Sequence, residues 1–160
     1  MTNYQEKPIV AAFYKRFLDT LPPRSEYRKY RWISEAWGAG KMADELGGLI
    51  ASGKKTASCG TWWEYVAEGC KVPAIDLLTV VLDARGEPLC VIETYAIEVK
   101  PFNEVTPEFA AWEGEGDLSY EYWRNAHWNY FSRSLKAIGK EPAEDMPVVC
   151  ERYRVLYKEE

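Results

Sequence analysis

The sequence predicts an α+β fold in which helices pack on a small, curled and mostly antiparallel sheet. Apolar side chains four apart in residues 8–21 predict an N-terminal helix, with Pro8 in its first turn. Residues 76–100 change to a strand pattern that a turn at residues 85–88 interrupts. Because a tight turn joins antiparallel strands, an all-parallel sheet is disfavoured.

The remaining elements follow from periodicity and capping residues. Residues 22–32 read as a connection, and a helix over residues 41–51 ends near Gly53, a residue type that suits the position after a helix. The later elements are a short helix that Thr106 caps, a longer helix after Asp117 or Ser119, and a closing strand over residues 147–157.

The composition is that of one globular domain. The chain has 160 residues, 47% of them hydrophobic, which is enough to bury a substantial core. No apolar run approaches the ~20 residues that span a bilayer, so no membrane partner is predicted. The N-terminus lacks the apolar segment of a secretion signal, and a cytoplasmic location is therefore the expectation.

Aromatic content and charge distribution bear on the partner. Seven Trp and eleven Tyr exceed what a core of this size needs, so some rings are expected to line a binding surface. The net charge is −5, yet residues 1–60 hold 10 basic and 6 acidic side chains. Because phosphates respond to the local potential, a basic face for nucleic acid remains possible.

The cysteines do not form a metal-binding pattern. The chain has a single histidine and no CxxC pair, so reduced and mostly buried thiols are predicted in preference to a zinc site. The four cysteines are Cys59, Cys70, Cys90 and Cys150.

An alternation of acidic residues resembles a calcium loop but fails on spacing. Glu113, Glu115 and Asp117 alternate, but the sixth and twelfth positions are Leu118 and Arg124 instead of glycine and glutamate. The acids are therefore expected to cap the helix that follows them. No metal site is predicted, and no cofactor either.

Residues 53–58 form the first candidate site. A helix end followed by Gly53, two lysines and hydroxyl residues offers free backbone N–H groups and positive charge, which can hold a phosphate or an oxyanion. The alternative is a solvated surface turn. The second glycine of an ATP-binding P-loop is missing.

Glu93 is the second candidate. It lies in the middle of a strand that is largely apolar on both faces, so its carboxylate is expected to be partly buried and to need a partner. That partner is either a lysine or, in a purely structural salt bridge, Arg152 or Arg154.

The predicted long helix has an aromatic face that includes His127. A packed, hydrogen-bonded histidine is favoured over a catalytic one, because no Asp or Cys lies at helical spacing from it. Arg124 is expected to contact a phosphate or to pair with Glu121. The face consists of Tyr120, Trp123, His127, Tyr130 and Phe131.

The connection over residues 22–32 interleaves cations with aromatic rings. This mixture is typical of single-stranded nucleic-acid binding, in which bases stack on rings and cations contact phosphates. The alternative is a surface loop with extended arginine side chains. The candidate nucleic-acid-binding cations are Arg24, Arg28, Lys29 and Arg31.

Taken together, these patterns resemble the ASCH domain family over residues 35–157. The family signature GxKxxT/S appears as Gly53, Lys55 and Ser58, and its strand glutamate appears as Glu93. Residues 101–133 and 144–155 match a bacterial subgroup of that family closely.

The resemblance implies a PUA-like small β-barrel with flanking helices and a cleft that faces RNA or a nucleoside. Residues 1–34 would form a helix and connection packed on the domain of residues 35–160. One branch of the family hydrolyses the amide of N4-acetylcytidine with a Lys, Thr and Glu set, and ribonuclease activity is attributed to another. The catalytic roles would fall on Lys55, Ser58 and Glu93. This chain differs in having serine at the nucleophile position and Gly60 where an arginine often stands.

These residues can support hydrolysis chemically. Ser58 needs a neighbour to accept its proton, and Lys55 could do so or could stabilise an oxyanion instead. Glu93 could orient the lysine or carry a proton to the leaving amine. The expected substrate-binding side chains are Lys54, Trp62, Trp63, Tyr95, Arg124, His127 and Ser132.

The expected function is therefore an RNA- or nucleoside-binding hydrolase, acting on an acylated pyrimidine nucleoside or on single-stranded RNA. The alternatives are a non-catalytic module that binds RNA or a modified nucleotide, and a protein–protein domain that uses its aromatic helix. The sequence predicts no particular oligomeric state.

Overall fold

The protein is an α+β fold with a five-stranded mixed sheet and flanking helices, as the sequence predicts. The computed structural model describes residues 7–69 and 73–160. Its helices are α1 (Pro8–Asp19), α2 (Lys41–Ala51), α3 (Trp62–Ala67), α4 (Pro107–Trp112) and α5 (Tyr120–Ser134). Its strands are β1 (Arg31–Glu35), β2 (Ala57–Thr61), β3 (Leu77–Leu82), β4 (Pro88–Pro101) and β5 (Pro147–Lys158).

The strand order is β1-β3-β4-β5-β2, so the sheet of the described residues is open, with β1 and β2 at its ends. The predicted hairpin is confirmed, since β3 and β4 pair antiparallel. Strand β2 pairs antiparallel with β5, whereas β1 runs parallel to β3. A parallel pair needs a long crossover, and a rule based on tight turns does not detect one.

Local capping rules place α4 and α5 correctly. The Thr106 hydroxyl accepts a hydrogen bond from the backbone N–H of Phe109 at 3.1 Å. The Ser119 hydroxyl accepts one from the backbone N–H of Tyr122 at the same distance. Each bond satisfies an N–H group that would otherwise have no partner in the first helical turn.

Three short elements were not predicted. Strand β1 occupies part of the stretch expected to be a connection, and β2 and α3 occupy residues 57–67. Strands β1 and β2 have only five residues each, and their hydrogen-bond partners lie far away in the sequence. A local apolar alternation is too short in such segments to reveal them.

The described chain divides into two compact units. The first unit contains the residues up to Gly53, Ile75–Tyr95 and Tyr153–Glu160. In it, β3 alternates its side chains between two apolar clusters. Leu78 and Val80 pack with Phe13 and Phe17 of α1, whereas Val81 packs with residues of α2 such as Ile50. The β3 faces are therefore buried beneath two different helices.

The second unit contains Lys54–Ala74 and Ala96–Arg152. Its core is aromatic and lies on one side of β2 and the neighbouring part of β5. Phe102, Trp123 and Phe131 form the centre of this core, and the rings of Phe102 and Trp123 stack at 5.3 Å. The predicted aromatic face of α5 is thus largely a core face, although Tyr130 at its edge is exposed.

The thiol prediction is confirmed for the described cysteines. Cys59, Cys90 and Cys150 are free, and two of them are buried. Cys70 lies outside the described residues. Within residues 7–69 and 73–160, none of the helices has the length and apolar character needed to cross a bilayer.

Candidate functional site

Lys55 lies in the second unit, just before β2, and its side chain is only 3% exposed. Its amine contacts three acceptors: the Glu113 carbonyl oxygen at 3.3 Å, Glu113 Oε1 at 3.2 Å and Glu115 Oε2 at 3.1 Å. A protonated lysine amine has three N–H donors and no acceptor, so this environment satisfies the ammonium form completely. The geometry therefore favours Lys55 as a fixed positive charge over Lys55 as a proton acceptor.

The Glu113 carboxylate is the centre of the buried cluster and is 2% exposed. While Oε1 accepts from Lys55, Oε2 accepts from the indole N–H of Trp123 and lies 3.0 Å from Nε2 of His127. The other ring nitrogen of His127, Nδ1, lies 2.8 Å from the carbonyl oxygen of Trp123. Both histidine nitrogens therefore face acceptors, and an imidazolium with two N–H donors satisfies them.

The pKa directions agree with this charge pattern. For Glu113, burial acts to raise the pKa, but the charges of Lys55 and His127 and the hydrogen bonds outweigh it, so the pKa lies below its ordinary value of 4.5. For His127, burial acts to lower the pKa, but Glu113 outweighs it, so the pKa lies above 6.5. Near neutral pH the carboxylate is charged, and the histidine keeps its proton to a higher pH than usual.

Local backbone geometry explains why the acidic loop reaches Lys55. The backbone N–H of Thr56 donates to the carbonyl oxygen of Trp112 at 2.8 Å, which ties the start of β2 to the end of α4. Gly114 then has φ +72°, and a Cβ there would lie 2.3 Å from the Lys54 carbonyl oxygen. Only glycine allows the two segments to approach so closely with this backbone conformation.

The acidic residues do not all act as caps, which corrects one expectation. Asp117 accepts a hydrogen bond from the backbone N–H of Ser119, the cap residue of α5, at 2.9 Å. Glu113 and Glu115 instead bind Lys55. A buried lysine needs a counter-charge more than a helix end needs an acid, because helix-end interactions are worth only about 0.3–1 kcal/mol.

The same cluster has ligand-type atoms close enough together for a metal ion. One ligand atom from each of Glu113, Glu115 and His127 lies within 4.8 Å of the others. The Lys55 amine, however, lies within 3.2 Å of both carboxylates. An ammonium there supplies the positive charge that a cation would supply, so the donor set does not fit a metal while Lys55 is present.

We expect the His127 imidazole to titrate above pH 6.5, and we expect this shift to depend on Glu113. His127 is the only histidine in the sequence, so its ring resonances are unambiguous in an NMR pH titration. In Glu113→Gln the opposing charge is lost while burial remains, and the pKa should fall below 6.5. An unchanged midpoint in that variant would contradict the assigned pairing.

A pocket of about 380 Å³ opens elsewhere in the second unit. Its lining includes Trp112, Arg152, Cys150 and Lys100. The Arg152 guanidinium lies 3.6 Å from the centre of the Trp112 ring, and the Lys100 ammonium pairs with Glu98 at 3.0 Å. Because Trp112 directly precedes Glu113, the buried cluster anchors one wall of this pocket.

Ser58 and Cys59 point to opposite faces of β2. Ala57 is part of the aromatic core and Cys59 packs against it, so strand alternation directs Ser58 to the other face. Cys59 pairs in register with Cys150. The Cys150 thiol, burial and the nearby Glu113 all raise the pKa of the Cys59 thiol, with Lys55 opposing them. A thiol with a raised pKa is a poor nucleophile.

Glu93 lies in the first unit and is buried there. Its Oε2 accepts hydrogen bonds from the Tyr27 hydroxyl at 3.0 Å and from Nε of Arg154 at 2.9 Å. The alternative of a salt bridge to Arg154 is therefore the one observed. Tyr95 lies beneath the same guanidinium, 4.5 Å from it. The catalytic role of Glu93 remains a prediction.

The other expected substrate-binding residues have separate surroundings. Lys54 and Trp62 are exposed, whereas Trp63 packs on the second-unit core with the Lys140 ammonium 5.0 Å from its ring centre. The Ser132 hydroxyl donates to the Trp128 carbonyl oxygen one helical turn earlier, at 2.7 Å. Within the described residues, none of these four side chains lines the 380 Å³ pocket.

Arg124 pairs with Glu144 and not with Glu121, one of its two expected partners, while its contact with a phosphate stays a prediction. Its guanidinium also lies 5.4 Å from the ring centres of Phe102 and Trp128. Helical spacing suggests Glu121, but the aromatic rings hold the guanidinium in a different direction.

The basic connection is ordered by contacts within the first unit. Arg28 donates to the carbonyl oxygens of Leu18, Leu21 and Pro22 at 2.7–3.0 Å, so it caps the end of α1. Lys29 pairs with Glu26 and Arg31 pairs with Asp76, whereas Arg24 is exposed. Their role in nucleic-acid binding remains a prediction.

Four residues with clear roles in the second unit were not expected there: Trp112, Glu113, Glu115 and Arg152. For Arg152 the sequence predicts only a possible pairing with Glu93. One signal is available for Glu113, because a buried lysine requires an acid and two acids alternate with two glycines in the "EGEG" stretch. The contact between Trp112 and Arg152 joins positions 40 residues apart and has no local signature.

The fold is that of an ASCH-type α+β protein. An ASCH domain model matches residues 34–157, which is most of the chain. The ASCH domain structure from Lactobacillus crispatus JV V101 is 35% identical, with a TM-score of 0.86, and the match covers 92% of this chain and 94% of that chain. Protein EF3133 from Enterococcus faecalis V583 is 31% identical, with a TM-score of 0.73, covering 91% of this chain and 86% of that chain.

The chain belongs to the ASCH domain family. No match is found among curated proteins.

Proposed function

We propose that this protein binds a nucleoside or a single-stranded RNA and that the second-unit pocket takes the base. The observation that carries the proposal is the stack of the Arg152 guanidinium on the Trp112 ring at 3.6 Å in the pocket lining. Splayed-out bases stack on aromatic rings and on arginine guanidinium planes, and this pair combines the two in one layered platform. A base is the expected ligand because both the indole ring and the guanidinium are flat.

Size and charge also support a ligand of this class. The pocket volume of about 380 Å³ lies within the range of small-molecule sites. Lys100 and Arg152 provide two cationic groups in its lining, and the carboxylate of Glu98 pairs with the first. Cations beside a stacking platform suit a nucleotide, in which a phosphate follows the base.

Neighbouring contacts hold Trp112 and Arg152 in place before any ligand binds, and this rigidity favours a role in ligand binding. Thr56 holds the Trp112 carbonyl group, and the buried carboxylate of the next residue, Glu113, binds Lys55. Arg152 lies in β5 and pairs in register with Ala57 of β2. A preorganised site loses little conformational entropy when the ligand binds.

Binding is tested with cytidine, N4-acetylcytidine and a short single-stranded RNA. Replacing Arg152 with alanine removes one layer of the platform, and base stacking is worth about 1–3 kcal/mol, so affinity should fall roughly 5- to 150-fold. The matched control is Arg133→Ala, which removes an exposed arginine of α5 in the same unit that is not part of the pocket lining. Equal effects of the two substitutions would overturn the proposal and leave only non-specific electrostatic attraction.

The second candidate function is hydrolysis of a ligand of the same class, either at the amide of an acylated pyrimidine nucleoside or in the RNA backbone. The specific observation in its favour is the buried Lys55 ammonium: when the partly exposed Glu115 carboxylate gives up its hydrogen bond, this fixed charge in a low-dielectric site stabilises developing negative charge effectively. Lys55 would then act by its charge. Ser58 and Glu93 are the remaining proposed groups.

The same ligands serve to separate binding from hydrolysis. After incubation with N4-acetylcytidine or RNA, product formation by the unaltered chain is compared with that of Ser58→Ala and Glu93→Gln. The catalytic proposal requires product that both substitutions reduce. Tight binding without product would leave the binding function alone.

A further inference from the structure

The three acceptors around Lys55 differ sharply in accessibility. Glu113 is 2% exposed and supplies two of them, while the Glu115 side chain is 34% exposed and supplies the third. Glu115 is thus the more exposed of the two residues that bind the Lys55 ammonium. If its carboxylate moved away, one N–H of the Lys55 ammonium would face the space that it vacated.

The two acids are also held differently. Glu113 is fixed by Trp123 and His127 in addition to Lys55. The carboxylate of Glu115 has Lys55 as its hydrogen-bond partner. Glu115 lies between Gly114 and Gly116, which have φ +72° and +59°. The Glu115 contact can therefore break without disturbing the buried part of the cluster.

The charges of the cluster balance only while Glu115 is in place. When His127 carries its proton, Lys55 and His127 supply two positive charges, and Glu113 and Glu115 supply two negative ones. Removing Glu115 from the cluster leaves one positive charge without compensation at a partly buried position. Another anion of similar size would restore the balance.

We propose that the Lys55 ammonium is an anion-binding site for a phosphate group and that Glu115 is its internal competitor. An incoming phosphate displaces the Glu115 carboxylate and takes its hydrogen bond from Lys55. With a nucleotide or RNA as the phosphate donor, this inference rests on the proposed function. The contact within the chain then limits phosphate binding to ligands that can displace a carboxylate.

The test is Glu115→Gln, which keeps the size of the side chain and removes the competing charge. A partly exposed ion pair contributes up to about 1 kcal/mol, so phosphate affinity should rise about fivefold in this variant. Inorganic phosphate, cytidine 5′-monophosphate and a short single-stranded RNA are titrated, and the ring resonance of His127 serves as the local reporter. The two phosphate esters distinguish a nucleotide from an RNA backbone, and cytidine, which has no phosphate, should bind equally to both proteins.

Two further variants make the result specific. Glu141→Gln removes an exposed acid of the same unit and controls for net charge. Combining Glu115→Gln with Lys55→Met should abolish the gain. The inference is overturned if Glu115→Gln binds inorganic phosphate no more tightly than the unaltered chain, or if Glu141→Gln gains equally. Because inorganic phosphate has no base, this result is independent of whether Arg152→Ala affects nucleoside binding.

Discussion

Replacing Glu113 with alanine is expected to lower the free energy of unfolding by about 3–5 kcal/mol, because it leaves buried charge without compensation. Three donors lose an acceptor at once: the Lys55 ammonium, the Trp123 indole N–H and the His127 ring. Native domains are stable by only about 5–15 kcal/mol, so a loss of this size is a large share of the total. Urea unfolding followed by tryptophan fluorescence measures it.

Two controls separate charge from general damage. Glu141→Ala removes an exposed acid of the same unit and should change stability by less than about 0.5 kcal/mol. Glu113→Gln keeps an oxygen acceptor for Trp123 but loses the charge, so its effect should lie between the other two. A loss of below 1 kcal/mol in Glu113→Ala would mean that water replaces the carboxylate without penalty.

The effect of Glu113→Ala should also depend on pH with a defined sign. The pKa of Glu113 is lowered on folding, so its contribution is present above about pH 4.5 and is lost as the pH falls through the folded-state value. The pKa of His127 is raised on folding, so its contribution is present below about pH 6.5 and is lost as the pH rises through the folded-state value. The difference between the two proteins should therefore be greatest between about pH 4.5 and 6.5.

Elements with local signals are those that the sequence predicts well. Helix α1 has an apolar stripe with Pro8 at its start, and the Thr106 and Ser119 hydroxyls cap the helices that follow them. Strands β1 and β2 lack such signals, because each is stabilised by pairing with a strand distant in the sequence. Short strands are defined by their partners more than by their own residues.

The residues of the candidate site also divide into those with a local sequence signal and those without one. Lys55 has a local signal, since a lysine within a glycine- and hydroxyl-rich stretch is recognisable from nearby residues; its functional role stays a prediction. Its partner Glu113 is 58 residues away and resembled a helix-capping acid, so only the tertiary structure identifies the pair. His127 was expected to be packed and hydrogen-bonded, and it is. Its acidic partner comes from the loop before α5, which helical spacing cannot indicate.

Replacing Gly114 with alanine is the second substitution from which we expect a large effect. Gly114 has φ +72°, and a Cβ there would lie 2.3 Å from the Lys54 carbonyl oxygen and 3.0 Å from the Lys55 Cα. Both neighbours are backbone atoms that cannot rotate away, so β2 and the acidic loop must separate. We expect the free energy of unfolding to fall by roughly 2–5 kcal/mol, which combines backbone strain with overpacking.

Gly139→Ala is the matched control for Gly114→Ala. Gly139 has φ +70°, nearly the same as Gly114, but a Cβ there would meet no atom within 4 Å. Its replacement should therefore cost only the left-handed backbone strain of about 1–2 kcal/mol. The difference between the two variants isolates the close approach. Because this close approach positions Glu113, Gly114→Ala should also move the His127 pKa towards 6.5. Gly139→Ala should leave that pKa unchanged. Equal destabilisation and an undisturbed histidine in both variants would mean that the loop does not depend on this contact to hold Lys55.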